Sequence, residues 1–103
     1  MPRALLLELS EAADLDLVEI HTYTAYRFGQ VQAVEYLLGL EQTFTSLTSN
    51  PMLGKERNEI KIGLRSIPYV AHLVFYRVLP DRIRIVRVMH ASRDLPKHFE
   101  EIA

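Results

Sequence analysis

Apolar residues recur at helical spacing in two consecutive segments of the N-terminal half of the chain. The first segment follows Ser10, whose hydroxyl suits a helix N-cap, and ends at Gly29. Its apolar stripe is Ala13, Leu17, Ile20, Thr24 and Phe28, and the acidic residues off that stripe are Asp14, Asp16 and Glu19. The second segment runs from about Val31 to Leu47, and Asn50-Pro51 stops it. Two helices joined by one tight glycine-containing turn predict an αα-hairpin.

Short apolar runs on both sides of the hairpin predict strands. A first strand covers Ala4 to Leu9, and a second covers residues 64–68 and ends at Pro68. Residues 69–79 and 82–90 form a strand hairpin around Pro80-Asp81, and the polar residues 51–63 are predicted to be a loop. The order β-α-α-β-β-β predicts one α+β domain over residues 1–103: an N-terminal strand, the αα-hairpin, then a three-stranded antiparallel sheet. The residues after Pro96 are compatible with a short C-terminal helix.

Both faces of the predicted hairpin are mostly apolar. A turn at residues 79–82 places Val78 opposite Ile83 and Val74 opposite Arg87. One face then carries His72, Val74, Tyr76, Val78, Ile83, Ile85, Arg87 and Met89, and the other carries Leu73, Phe75, Arg77, Arg84, Val86, Val88 and His90. Because two helices cover only one face of a small sheet, the second face is expected to need another cover. That cover is either the chain's own tail from Leu95 to Ile102 or a different protein.

Composition and charge narrow the class of protein. Residues 1–50 hold two basic and seven acidic residues, whereas residues 51–103 hold ten basic and six acidic ones. The net charge of −1 argues against general nucleic-acid binding. The absence of cysteine excludes a disulfide scaffold and a thiolate nucleophile, and it favours the reducing cytoplasm. No apolar run reaches the roughly 20 residues that a bilayer needs, and no signal peptide is visible. The four histidines lack a zinc-like spacing, and no glycine-rich phosphate loop occurs, so neither a metal nor a cofactor is predicted.

An ordered set of residues across the chain identifies a family. In the C-terminal half the set is Gly63-Leu64-Arg65 with Pro68, His72 with Phe75-Tyr76-Arg77, Ile85-Val86-Arg87-Val88, His90 and Arg93-Asp94. In the N-terminal half it is Ser10, Ala12, Ala13, Leu15, Ile20 and Tyr23, followed by Asn50-Pro51 and Gly54. With these spacings the chain resembles the ParE toxins of the RelE/ParE superfamily of type II toxin–antitoxin systems.

The resemblance carries expectations about partners. It implies an αα-hairpin packed on a small antiparallel sheet and a heteromeric complex with a ParD-type antitoxin. It also implies DNA gyrase as the target, with replication blocked, and no direct sequence-specific binding of nucleic acid. An acidic amphipathic segment of the antitoxin is expected to dock on the apolar, arginine-bearing face through Arg65, His72, Val74, Tyr76, Ile85, Arg87 and Met89. Arg93, Leu95, Lys97 and Phe99 are the candidate contacts with the target.

Several of the singled-out side chains can also be explained by structural roles within the chain. Arg87 has apolar neighbours on its predicted face, so it needs a carboxylate partner, either internal or from the antitoxin. Arg77 and Arg84 are interpreted as rim residues. Tyr23, Tyr26 and Phe28 are interpreted as core or hairpin packing, and His90 as a residue that closes the last strand.

Two other functions remain open from the sequence. One is a ribosome-dependent messenger RNA endonuclease of the RelE branch, with His90, Arg93 and His98 near the scissile phosphate. Such an enzyme needs a dense basic surface, and residues 54–62 supply only Lys55, Arg57 and Lys61 among glutamates. The other is a non-toxic family member kept only for pairing with its antitoxin. Cut messenger RNA would identify the first, and unimpaired growth on expression of the chain alone would identify the second.

Overall fold

The computed structural model describes residues 4–92 and confirms the α+β class. The elements in chain order are β1 (Leu6–Leu9), α1 (Glu11–Phe28), α2 (Gln30–Ser49), β2 (Lys55–Glu56), β3 (Leu64–Tyr69), β4 (His72–Val78) and β5 (Arg82–His90). The strands form one mixed sheet in the order β1-β5-β4-β3-β2. The proposed short helix after Pro96 lies outside the described residues.

Ser10 joins the start of α1 to the centre of the sheet. Its hydroxyl oxygen accepts a hydrogen bond from the Ala13 backbone N–H at 3.0 Å, as expected of an N-cap. The same hydroxyl donates to the Val86 carbonyl at 2.7 Å, which fixes the first turn of α1 against β5. At the other end, Gly29 has φ +93° and links the two helices directly. A side chain at this backbone angle would be strained, so glycine is the favoured residue for the hairpin turn.

The sheet has more strands than the sequence indicated. β1 pairs in parallel with β5, and the two-residue strand β2 lies within residues 51–63, which were expected to be loop. Pro68 does not end β3, because it pairs with Leu73 inside the β3–β4 ladder. The turn between β3 and β4 is Val70-Ala71, a break that the continuous apolar run from Tyr69 concealed.

A β-bulge shifts the register of the β4–β5 hairpin. Val78 pairs with Ile83 as predicted, but beyond the bulge Phe75 pairs with Arg87 and Val74 with Val88, so the predicted Val74–Arg87 pairing is wrong. One extra residue changes which face every later side chain occupies. Val88 and His90 therefore join Val74 and His72 on the face under the helices, and Met89 joins Leu73 on the opposite face.

Hydrophobic clusters cover both faces of the sheet. The larger lies between the helices and the sheet and contains Ala13, Ile20, Leu40, Phe44, Leu47, Val74, Tyr76, Ile83, Ile85 and Val88. The smaller lies on the second face and contains Leu64, Phe75, Val86 and Met89. Each fully buried large apolar side chain stabilises the fold by roughly 1.5–3 kcal/mol. Residues 57–63 supply part of the cover of the second face, because Ile60 packs on the smaller cluster and the Arg57 guanidinium lies 5.7 Å from the centre of the Phe75 ring.

The Tyr76 hydroxyl fastens the segment after α2 to the sheet. It donates to the Pro51 carbonyl at 2.7 Å and accepts from the Gly54 N–H at 2.8 Å, and the whole side chain is buried. We expect Tyr76→Phe to lower the free energy of unfolding by about 1–3 kcal/mol, because two backbone groups lose their partner. Urea denaturation measures the change, with Tyr26→Phe on the exposed face of α1 as the control that leaves the midpoint unaltered. An unaltered midpoint for Tyr76→Phe would show that water replaces the hydroxyl.

Candidate functional site

A groove of about 970 Å³ opens between the turn end of the helical hairpin and one end of the sheet. Residues 16–28 of α1 and residues 32–36 of α2 form its walls. The β3–β4 turn and the last residues of β5 form its floor. Its surface is mostly apolar and carries a few polar groups, which is typical of a binding site.

An ion pair between Asp16 and Arg87 lies at the base of the groove. Arg87 Nε and Nη2 donate to the two carboxylate oxygens of Asp16 at 2.7 and 2.9 Å. Asp16 Oδ2 also accepts the Val88 backbone N–H at 2.9 Å. Both side chains are largely buried, with 9% of Asp16 and 19% of Arg87 exposed. The carboxylate that Arg87 was predicted to need is thus internal, and the pair fixes α1 to β5 beneath the groove.

Tyr36, His72 and His90 form a polar cluster beside this ion pair. Tyr36 Oη and His72 Nδ1 share a hydrogen bond of 2.7 Å. His72 and His90 are opposite residues on β4 and β5, and their ring centres are 5.4 Å apart. Burial is the main cause that lowers the pKa of His72, and the neighbouring His90 contributes, while Asp16 acts in the opposite direction. Burial likewise raises the pKa of Tyr36, partly offset by the N–H of Ala71.

Exposed apolar side chains border the mouth of the groove. Tyr23 and Phe28 on α1 are 60% and 64% exposed, and Val70 in the β3–β4 turn is 79% exposed. Val70 has φ +49°, a backbone angle that is costly for a β-branched residue. The interpretation of Tyr23, Tyr26 and Phe28 as packing residues is wrong, since all three are largely exposed. Aromatic side chains are enriched in protein–protein interfaces, so the exposed Tyr23 and Phe28 are candidate contacts for a partner protein.

The residues predicted to contact the antitoxin do not share one surface: some are buried in the core, and others line the groove. Val74, Tyr76 and Ile85 are completely buried beneath the helices, so their placement on an open face is wrong. Met89 lies on the groove lining, but it packs in the smaller cluster because of the bulge. His72 and Arg87 line the groove as well. Their contact with an antitoxin stays a prediction.

Arg65 is also engaged within the chain. Its Nε donates to the Gly54 carbonyl at 3.1 Å, and its Nη1 lies 3.5 Å from a Glu56 carboxylate oxygen. It therefore holds the segment between α2 and β3, away from the groove lining. Its predicted antitoxin contact is untested.

The remaining strand arginines are paired at the rim of the sheet. Arg84 donates to Glu8 at 2.8 Å, and Arg82 donates to the same carboxylate at 3.2 Å. The hydrogen bond from Arg84, together with the charges of both arginines, lowers the pKa of Glu8. Arg77 donates to the Ile62 carbonyl at 3.2 Å. The rim interpretation of Arg77 and Arg84 fits these contacts.

His90 closes β5 as expected. Its Nδ1 lies 2.7 Å from the Ser92 hydroxyl and accepts the Ser92 backbone N–H at 3.2 Å. The other proposed endonuclease residues, Arg93 and His98, lie outside the described residues, as do the candidate target contacts Arg93, Leu95, Lys97 and Phe99. Within residues 4–92 no three histidine or acidic side chains come together as metal ligands, and neither helix is long and apolar enough to cross a bilayer.

Asp16 and Tyr36 are site residues that the sequence did not reveal. Asp16 was placed off the apolar stripe of α1, yet it follows Ala13 by three residues and precedes Ile20 by four. That spacing puts it on the buried side of the helix. An acidic residue at such a position, together with an arginine on an apolar strand, is the signal that could have predicted the pair. No comparable signal marks Tyr36.

Known proteins resemble this chain in both sequence and fold. The family model described as "ParE toxin of type II toxin-antitoxin system, parDE" matches residues 7–95. Toxin ParE1 of Caulobacter vibrioides is 36% identical over 90 residues, which cover 87% of this chain and 93% of that protein. Toxin ParE1 of Mycobacterium tuberculosis is 36% identical over 91 residues with the same two coverages.

Solved structures extend the likeness to the fold. A chain of the chromosomal ParDE toxin–antitoxin system from P. aeruginosa superposes with a TM-score of 0.76 at 19% identity, covering 86% of this chain and 98% of its own. A chain of the toxin–antitoxin complex RelBE2 from Mycobacterium tuberculosis gives a TM-score of 0.59 at 20% identity, with coverages of 85% and 99%. At these identities the superpositions establish a shared fold.

Proposed function

Since this chain belongs to the ParE toxin family of type II toxin–antitoxin systems, we propose that it acts in the cytoplasm by binding and inhibiting DNA gyrase. The family match over residues 7–95 is the observation that carries the proposal. In this function the toxin blocks replication, and a ParD-type antitoxin holds it inactive in a heteromeric complex.

The groove is the surface on which the antitoxin docks. Tyr23, Phe28 and Val70 are apolar, exposed and arranged around one cavity large enough for a peptide segment. Arg65 and Arg87, which were expected to pair with antitoxin carboxylates, are already engaged within the chain. Burial of apolar surface therefore supplies most of the affinity, and the partner segment is chiefly apolar.

A binding toxin suits the described surface better than a ribonuclease does. Backbone cleavage needs cations free to hold phosphate and to stabilise a transition state. Arg57 instead pairs with Glu59 at 2.8 Å and donates to Ser66, and Arg82, Arg84 and Arg87 pair with acidic residues of their own chain. Because these arginines are paired within the chain, the described surface supports action by protein–protein contact without catalysis.

A paired assay on purified toxin freed from its antitoxin tests the target. One reaction contains gyrase, supercoiled DNA and ATP, and the other contains translating ribosomes with messenger RNA. We expect trapped gyrase–DNA cleavage complexes and intact messenger RNA. Cut messenger RNA with unaffected gyrase would refute the proposal and make His90, Arg93 and His98 the candidate catalytic residues.

A charge reversal in the full chain tests the candidate target contacts. Lys97→Glu is expected to weaken gyrase inhibition while leaving antitoxin binding intact. The matched control is Lys55→Glu, which makes the same charge change at an exposed position on β2. Equal loss of inhibition by both variants would show that overall charge, and not a contact at Lys97, determines inhibition.

A further inference from the structure

Two histidines, His72 and His90, lie side by side at the floor of the groove. His72 and His90 face each other across β4 and β5, and Nδ1 of each ring is held by a neighbouring hydroxyl, Tyr36 Oη for His72 and Ser92 Oγ for His90. These bonds fix both rings at the groove surface. A partner segment seated in the groove would cover both rings at once.

The charged groups around the pair come from every element that packs there. α1 contributes Asp16 and Glu19, α2 contributes Glu35 and Tyr36, β3 contributes Tyr69, and β5 contributes Arg87. Asp16 is already occupied by Arg87 and by the Val88 N–H. Within residues 4–92 neither Glu19 nor Glu35 has an ion-pair partner, so the walls repel an acidic segment and accept an apolar one with basic flanks. The His72 imidazole itself contacts the Tyr36 hydroxyl and the rings of Tyr36 and His90, and within residues 4–92 no carboxylate forms a hydrogen bond or ion pair with it.

We propose that protonation of His72, at the floor of the groove, weakens docking of the antitoxin segment, so that the toxin–antitoxin complex loosens as the pH falls. This inference rests on the proposed function, in which the antitoxin occupies the groove. The mechanism is electrostatic: a covered, charged imidazole loses its water and gains no counter-charge.

The sign follows from proton linkage. Burial already holds the pKa of His72 below its ordinary value in the free toxin, and a bound segment removes the remaining water. The complex therefore binds fewer protons than the free toxin, and affinity is greatest above the ordinary histidine range of about 6.5. Affinity declines as the pH falls through the pKa of His72 in the free toxin, which lies below the ordinary histidine value. A further downward shift of one unit in the pKa of His72 on binding would weaken binding by at most about tenfold, a limit reached only when the pH lies below both pKa values.

The test measures binding of a ParD-type antitoxin to the full-length toxin at pH 7.5 and pH 5.5. We expect severalfold weaker binding at the lower pH for the native toxin, and no more than about tenfold for a one-unit shift in the pKa of His72. The double variant His72→Gln/His90→Gln should bind with nearly equal affinity at both values, because glutamine keeps a hydrogen-bonding group and does not titrate. His21→Gln, on α1 outside the groove lining, should retain the native pH dependence and controls for loss of any histidine.

The possible results distinguish a failure of the pH dependence from a failure of antitoxin binding itself. Equal affinity of the native toxin at both pH values, or tighter binding at pH 5.5, overturns the inference while leaving antitoxin docking intact. The same pH dependence in the double variant also overturns it, because the titrating group would then belong to the antitoxin. No binding at pH 7.5 would refute the proposed function itself. Should the double variant fail to fold, the NMR titration of each imidazole in the free and bound native toxin decides, with a fall of the His72 pKa on binding expected.

Discussion

Replacement of Asp16 by alanine is expected to destabilise the folded chain by about 3–5 kcal/mol. The loss is large because Arg87 keeps its charge in a site that is only 19% exposed, and the Val88 N–H loses its acceptor. The same carboxylate joins α1 to β5, so the groove wall loosens together with the fold. Urea denaturation at pH 7.5 measures the change in the free energy of unfolding.

Two further variants assign this loss to the ion pair. Asp14→Ala removes an exposed carboxylate from the first turn of the same helix and should cost no more than about 1 kcal/mol. The double variant Asp16→Ala/Arg87→Met should be more stable than Asp16→Ala alone, since no unpaired charge remains buried. The single variant Arg87→Met completes the comparison. If the double variant loses the full sum of the losses of Asp16→Ala and Arg87→Met, the two residues are not coupled and the explanation fails.

The double substitution Tyr23→Ala/Phe28→Ala is expected to weaken antitoxin binding at least a hundredfold. Each exposed aromatic side chain at the groove mouth is a candidate hot spot worth about 2 kcal/mol, and about 1.4 kcal/mol corresponds to a factor of ten. Stability should change little, because both side chains are mostly exposed in the free chain. Calorimetric titration of the toxin with its antitoxin measures the affinity.

Tyr26 offers a matched control on the same helix. It is 86% exposed and does not line the groove, so Tyr26→Ala should bind the antitoxin with native affinity. Equal weakening by Tyr26→Ala would place the antitoxin on the outer surface of the hairpin. Native affinity in the Tyr23→Ala/Phe28→Ala variant would remove the groove from the interface.

The helical hairpin and the β4–β5 hairpin could be predicted because each depends on local patterns. The apolar stripe of α1, the cap at Ser10 and the glycine turn at Gly29 act within a few residues of one another. The short strand β2 could not be predicted, because Lys55-Glu56 carries no apolar signal and is a strand only through its pairing with Arg65 and Ser66. The adjacent strand β3, and not the local sequence, determines that β2 is a strand.

The candidate site was harder to predict because it depends on register and on distant contacts. Nothing in the sequence Ile85-Val86-Arg87-Val88 marks the bulge at Val86. The bulge moves Met89 and His90 each to the face opposite the one predicted for it. Arg87 was recognised as needing a carboxylate, but its partner Asp16 lies 71 positions away. A groove formed between two separately predicted layers has no signature in either layer alone.

The parallel pairing of β1 with β5 has a consequence for the order of folding. Ser10 bonds to Val86, and Glu8 bonds to Arg84, each across 76 positions of the chain. Such distant contacts slow folding, because a long loop must close before they contribute. During synthesis the helical hairpin can form early, whereas the first strand has no partner until the last strand has left the ribosome. The sheet, and with it the floor of the groove, is therefore completed only after Arg82–His90 has emerged.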